Sequence, residues 1–334
     1  LGVQTAQILA RLEKVPTLQT LRLRPLAMED SLSLIRGLLQ ANPEFREVEP
    51  QAASRIAREA GGQPLFIYEL LYHLRVVGDS PKATLKLEDV LWSRISVLDE
   101  EFISLLELVC ISFGPVRMDF AAAVLERSVG EVFRITARLR MLHLVRISGP
   151  RPEDMIEPYH DRIRETLMEH MDAARATIWH ERIVRELEAL PEVNPERMAS
   201  HLVCLERTRQ AADFLAKAAR QAVRQMAFDR AAGLWIQAIQ LRFPERSDVA
   251  PEDVEDLRAW MIDCAQALWG AGRGRDSALL LLRAAEGLKN PESLGLRRQA
   301  AERLMVSGYL DEGIEVSRGI AENLGVHLPR FARR

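Results

Sequence analysis

A mainly α fold follows from three observations. Apolar residues recur at helical spacing over long stretches from Met28 onward. Glycines and prolines cut those stretches into helix-sized segments. Alternating, strand-like patterning is confined to Thr17 to Leu23 and to two short runs, Leu144 to Ile147 and Met155 to Glu157.

The chain has 334 residues, more than one core usually holds, so two or three domains are expected. Its 48% apolar and 28% charged content is ordinary for a globular protein, and the net charge of −3 provides no field toward nucleic acid or membrane. Cys110, Cys204 and Cys264 lie far apart on apolar helical stretches, which predicts buried free thiols in a reducing, cytoplasmic setting rather than disulfides or zinc. No apolar run approaches the roughly 20 residues of a membrane span, and no signal peptide is visible.

In chain order, residues 1 to 13 read as a helix with Val3, Ile8, Leu9 and Leu12 on one face, ended by Pro16. The strand at 17 to 23 cannot stand alone, so its sheet partners are expected upstream, in a longer protein of which this is a piece. Helices are expected over Met28 to Leu39, Gln51 to Ala60 and Leu65 to Val77, with a linker at Gly78-Asp79-Ser80-Pro81. Between the second and third, Gly61 suits a left-handed helix end and Gln63 is pushed out of the helical region by the proline after it. Pro64 suits the first helical position, so it stands at the apex of a rigid corner.

Helices at Leu87 to Leu98, Glu101 to Ser112, Met118 to Leu125 and Glu131 to Leu142 precede the two short extended runs. A tight Gly149-Pro150-Arg151-Pro152 turn between those runs makes a β-wing, so residues 81 to 171 read as a winged helix. The helix at 131 to 142 carries Glu131, Arg134, Arg138 and Arg140, but Asp99-Glu100-Glu101 and Glu153-Asp154 oppose DNA, and nucleic acid is not the expected partner.

From 172 to 334 only helices are expected: Trp179 to Leu190, Pro195 to Leu205, Arg209 to Met226, Asp229 to Leu241, Val254 to Leu268, Asp276 to Leu288, Ser293 to Val306 and Leu310 to Leu324. Small residues recur where paired helices would touch: Ala211, Ala212, Ala218, Ala219, Ala231 and Ala238, then Ala265, Ala267, Ala278 and Ala284, then Ala300, Ala301 and Gly313. The acidic helix starts Asp229, Asp276 and Asp311 fall 47 and 35 residues apart, so the period is tetratricopeptide-like but degenerate. Such pairs stack into an α-solenoid, which offers a surface for a protein partner or ligand.

Several motifs look chemical and are not. His180-Glu181-Arg182-Ile183-Val184 has Val184 where a zinc-protease motif needs its second histidine, so His180 reads as a helix-packing residue. Gly270-Ala271-Gly272-Arg273-Gly274 joins two helices and is followed by no Lys-Ser/Thr, so it reads as a turn. Arg22 and Arg24 read as solvated or paired edge residues. No Walker A, Walker B or kinase catalytic loop is present, so no catalytic residue is assigned and no metal ligand either.

Gly61 to Leu70, Gly-Gly-Gln-Pro-Leu-Phe-Ile-Tyr-Glu-Leu, resembles the G-x-P-L-F-x-x-E-L segment of the STAND class of AAA-type signalling ATPases. In that family the proline sits against the adenine of ATP or ADP. The resemblance implies that Pro64 is the adenine contact and Gly62 the residue that lets backbone come close. Tyr159-His160-Asp161-Arg162-Ile163 resembles the Met-His-Asp motif that closes the family's winged helix, with Tyr159 in place of methionine and Arg162 in place of an apolar residue. This implies that His160 reaches the β-phosphate of ADP, while its residue type alone equally suits capping the helix or packing on the wing.

The same resemblance implies a layout. Residues 1 to 24 would end an α/β ATPase core and contribute a remnant strand, 25 to 80 would form a helical lid, 81 to 171 the winged helix and 172 to 334 the sensor repeats. It further implies ATP or ADP with magnesium, a homo-oligomer in the ATP-bound state, no membrane, and a parent bearing a serine/threonine kinase, transcription-regulator or cyclase output domain. The alternative is a helical scaffold that binds protein partners without nucleotide.

Overall fold

The computed structural model describes residues 23–42, 50–77, 86–149, 151–244, 253–289 and 291–326. The helix and strand expected before Leu23, and the linker at 78 to 81, lie outside them. The chain forms two compact units: one runs to Ile103 and includes residues 165–167, the other holds Ser104–Arg164 and Met168 onward.

The first unit is built on α1 (Met28–Ala41), α2 (Pro50–Glu59), α3 (Pro64–Val77) and α4 (Leu87–Ile95). Each turns an i, i+3/i+4 stripe inward: Ala52 and Ile56 on α2, Ile67, Leu70, Leu71 and Leu74 on α3, Leu87, Leu91 and Ile95 on α4. Asn42 stops α1 by turning both its N–H and its Nδ2 onto the Leu38 carbonyl, each at 3.1 Å. The next helix, α5 (Glu100–Ile111), carries the chain into the second unit, and its stretch from Leu105 to Ile111 is buried on all sides.

The second unit opens with a winged helix. After α5 come β1 (Val116–Arg117), α6 (Met118–Val124), α7 (Val129–Met141), β2 (Val145–Ile147), β3 (Met155–Pro158) and α8 (Asp161–His170). The sheet is antiparallel in the order β1-β3-β2, with Ile156 opposite both Val116 and Ile147. The wing strands are those the alternation predicts. The two-residue β1 is too short to leave a periodic signal and forms only because β3 offers it an edge. Asp154 ties the wing turn by accepting from the Arg151 N–H at 2.6 Å and the Ser148 hydroxyl at 3.3 Å. Helix α7 starts two residues earlier than expected, because Ser128 and Glu131 form a capping box and Glu131 is therefore a cap rather than a free surface charge.

The remainder is helical: α9 (Ala173–Glu188), α10 (Pro195–Cys204), α11 (Thr208–Arg224), α12 (Phe228–Arg242), α13 (Val254–Gly270), α14 (Gly274–Ala284), α15 (Glu292–Val306) and α16 (Leu310–Asn323). Successive helices pack on one another along the series, as in stacked tetratricopeptide-like pairs. Every small residue expected at a helix contact is buried, from Ala211 to Ala301 and at Gly313. A Cβ on Gly313 would lie 2.5 Å from Met305 Cγ and 3.0 Å from the Ala301 carbonyl oxygen. Pairs turn at left-handed residues, Met226, Gly272 and Gly308. In each case the next N–H bonds the carbonyl five residues back: Ala227 to Ala222, Arg273 to Leu268, Tyr309 to Leu304. The run at Gly270 to Gly274 is thus a helix-pair turn, with Gly270 against the Phe228 ring and Gly274 against Ser307.

Two further expectations are corrected. Helix α9 starts six residues before Trp179, because Asp172 accepts from the Arg175 N–H at 2.8 Å and caps it. Arg175 then reaches Glu107 on α5 with Nε at 2.7 Å, and Trp179 Nε1 donates to the same buried carboxylate at 3.0 Å. Cys204 is exposed at the end of α10, whereas Cys110 and Cys264 are buried. Burial pushes the Cys110 thiol up to about 12.

His180 packs between helices, and its partner is another histidine. Its Nδ1 lies 2.8 Å from Nδ1 of His201, so one ring donates and the other accepts. The Phe113 ring lies against both, its centroid 6.0 Å from that of His180 and 5.0 Å from that of His201. Burial, then the charges of His180 and Arg197, hold His201 at about 3, and burial lowers His180 too. A folded value below the unfolded 6.5 means that the unfolded chain takes up the proton first as pH falls. Stability should therefore fall below about pH 6.5, by about 1.4 kcal/mol per pH unit for His201. Urea midpoints measured across that range should drop, and His201→Gln should flatten the slope.

Candidate functional site

Residues 60 to 64 build the corner between α2 and α3. The Ala60 N–H donates to the Ile56 carbonyl at 2.9 Å and that of Gly61 to Arg58 at 3.2 Å, closing α2. Gly61 and Gly62 then take φ of +54° and +75°, open to glycine at little cost. The Gln63 N–H donates back to Ala60 at 2.9 Å, while its carbonyl accepts from Ile67 at 3.1 Å, the first bond of α3. Pro64 fills the first helical position, where a missing N–H costs nothing. Its ring is exposed, as is Gln63, while Gly62 is buried.

What approaches Gly62 is this chain's own backbone. The Leu26 N–H donates to the Gly62 carbonyl at 2.7 Å. A Cβ on Gly62 would stand 2.2 Å from the Leu26 carbonyl oxygen and 2.7 Å from its nitrogen. The bare α-carbon thus lets the segment leading into α1 lie on the corner and fix it.

Behind the corner, the glutamate of the same motif is buried. Glu69, 1% exposed, pairs with Arg94 of α4, whose guanidinium lies 5.0 Å over the Tyr72 ring. Burial lowers the Arg94 pKa below the usual arginine value. Glu59 at the end of α2 accepts from the Leu87 N–H at 3.4 Å. Sequence reasoning missed Arg94, since nothing local pairs residues 25 positions apart.

His160 belongs to the second unit, whereas Gly62 and Pro64 share the corner in the first. The Tyr159 N–H donates to the Leu144 carbonyl at 3.0 Å, extending the wing ladder, and the His160 carbonyl accepts from Ile163 at 3.2 Å as α8 begins. The imidazole is half-buried and both its ring nitrogens are inside the protein surface. It stands edge-on to Tyr159 at 6.3 Å between centroids.

For a nucleotide, the fit is divided. The exposed Pro64 ring offers an apolar face to a base. The Cβ space of Gly62 is already filled by Leu26, and the His160 nitrogens face inward. Among the described residues, no group of three or more His, Cys, Asp or Glu is placed to hold a metal ion, and no helix is long and apolar enough to cross a membrane.

No protein-family model and no curated protein matches the chain. Among solved structures it is similar to a Signal Transduction ATPase with Numerous Domains (STAND) protein with a tetratricopeptide repeat sensor from Pyrococcus horikoshii. The two are 14% identical, with a TM-score of 0.45, over 91% of this chain and 42% of that one. The chain thus spans less than half the length of that protein.

Two predictions follow from the corner. Gly62→Ala should cost about 3 kcal/mol, from the left-handed backbone plus the clash with Leu26, whereas Gly61→Ala, with open space around it, should cost about 1 kcal/mol. Urea titration of the two variants reads the difference. Glu69→Ala should cost about 3–5 kcal/mol by stranding a buried guanidinium, and Glu69→Met combined with Arg94→Met should recover most of it in the same assay.

Proposed function

We propose that this chain is the regulatory part of a STAND-class signalling protein, a nucleotide-dependent switch coupled to a helical sensor. The observation that carries the reading is Pro64, which is exposed at a corner fixed by the Gly62–Leu26 contact and lies in a stretch resembling the family's adenine-binding segment. In this reading residues 1 to 24 end the ATPase core, 25 to 80 are the lid, 81 to 171 the winged helix and 172 to 334 the sensor. Pro64 would lie against the adenine. His160, once turned outward, would donate to the β-phosphate with charge assistance if protonated, and this would favour a closed state. A ligand or protein on the repeats would favour an open, ATP-bound homo-oligomer. ATP would bring magnesium with it, and the intact parent would carry the output domain, a serine/threonine kinase or a transcription regulator, in the cytoplasm.

A second reading has its own support. The inward-facing nitrogens of His160 favour a helical scaffold that binds protein partners without nucleotide. The two readings part on one measurement in the intact parent. If the imidazole bridges, His160→Ala should speed ADP release measurably, by about tenfold for one charge-assisted bond. Release at the wild-type rate would overturn the bridge, and an intact parent that binds no ADP at all would leave the scaffold.

A further inference from the structure

The first helices of three successive pairs, α11, α13 and α15, share a cavity of about 610 Å³ with α12, through Phe228 and Trp235. Its size is that of a small-molecule pocket. Three arginines line it, Arg220, Arg224 and Arg303, against a single carboxylate, Asp263. Two of the arginines sit over indoles: Arg220 Cζ lies 5.1 Å from the Trp235 ring centroid and Arg303 Cζ 5.6 Å from that of Trp269. The Arg303 Nη1 is further fixed by the Ala265 carbonyl at 3.1 Å and the Ser277 hydroxyl at 2.6 Å. Guanidinium planes fixed before a ligand arrives lose little freedom on binding it.

The charges in this cavity are not balanced from within. Asp263 reaches Arg220 only at 3.8 Å, and burial raises the Asp263 pKa, so its charge is the one the site holds least firmly. Among the described residues, neither Arg224 nor Arg303 has a carboxylate within 4.0 Å. Apolar surface completes the wall. Trp269 and Val223 stay more than a third exposed, and Gly270 leaves room for the Phe228 ring, which a Cβ there would meet at 2.7 Å.

We propose that this cavity binds a small organic anion, with a flat apolar body against Trp269 and Phe228 and an acid group bonded by Arg224, Arg220 and Arg303. This deepens the sensor reading above by naming the ligand class, and its test contains no nucleotide, so failure of the ADP bridge leaves it untouched.

The 334-residue chain is titrated with anilinonaphthalene sulfonate, followed by probe fluorescence, and in parallel with its uncharged counterpart N-phenylnaphthylamine. Saturable binding of the sulfonate is expected. It should weaken about tenfold in Arg224→Gln, be largely restored in Arg224→Lys, and tighten in Asp263→Asn, with helical circular dichroism unchanged in all three. The uncharged probe should bind more weakly and ignore Arg224→Gln. Wild-type sulfonate affinity in Arg224→Gln, or equal affinity for the two probes, would overturn the proposal.

Discussion

The structure depends on places where backbone must come within reach of backbone. At Gly62 a carbonyl and an N–H meet across 2.7 Å in a space that a methyl group would fill. In the repeats the same constraint acts along whole helices, through Ala211, Ala212, Ala219, Ala231 and Ala238, all fully buried. Helix axes can approach this closely only where side chains are small, and close approach multiplies dispersion contacts that are individually weak. The larger side chains then fill what remains. Trp235 is 1% exposed, its ring centroid 5.7 Å from that of Trp260.

Onto this packing the chain adds a few buried charges, each joining elements distant in sequence. Glu69 and Arg94 join α3 to α4. Glu107 gathers Arg175 and the Trp179 indole, joining the winged helix to the first repeat helices. Arg242, 8% exposed, bonds Asp213, Asp253 and Asp256 at 2.9 to 3.1 Å and lies 5.5 Å over Trp260. Desolvation makes such groups expensive when a partner is lost.

The corner and the repeat cavity differ in the same terms. At the corner, backbone hydrogen bonds from Gly61, Gln63 and Leu26 hold the turn, and the exposed surface is the apolar Pro64 ring. In the repeat cavity the polar groups are side chains with charge to spare, held in place by indoles. One arrangement suits a contact that must keep its position while neighbouring parts move. The other suits recognition of a diffusing ligand.

Much of this was legible in residues 50 to 77 and 195 to 324, because helix ends, the proline at the first position and the small-residue contacts are local properties that periodicity and backbone sterics express directly. The wing was legible for the same reason, through alternation around a Gly-Pro turn. What the amino acids could not announce were pairings across distance. Gly62 reads as a glycine that admits something, and only the fold shows that Leu26 takes that place. His180 reads as a packing residue, and only the fold brings it His201. Likewise β1 exists because β3 lies beside it. Short-range sterics settle which residues turn and which coil. Which side chains meet depends on how the helices stack, and no window of sequence contains that.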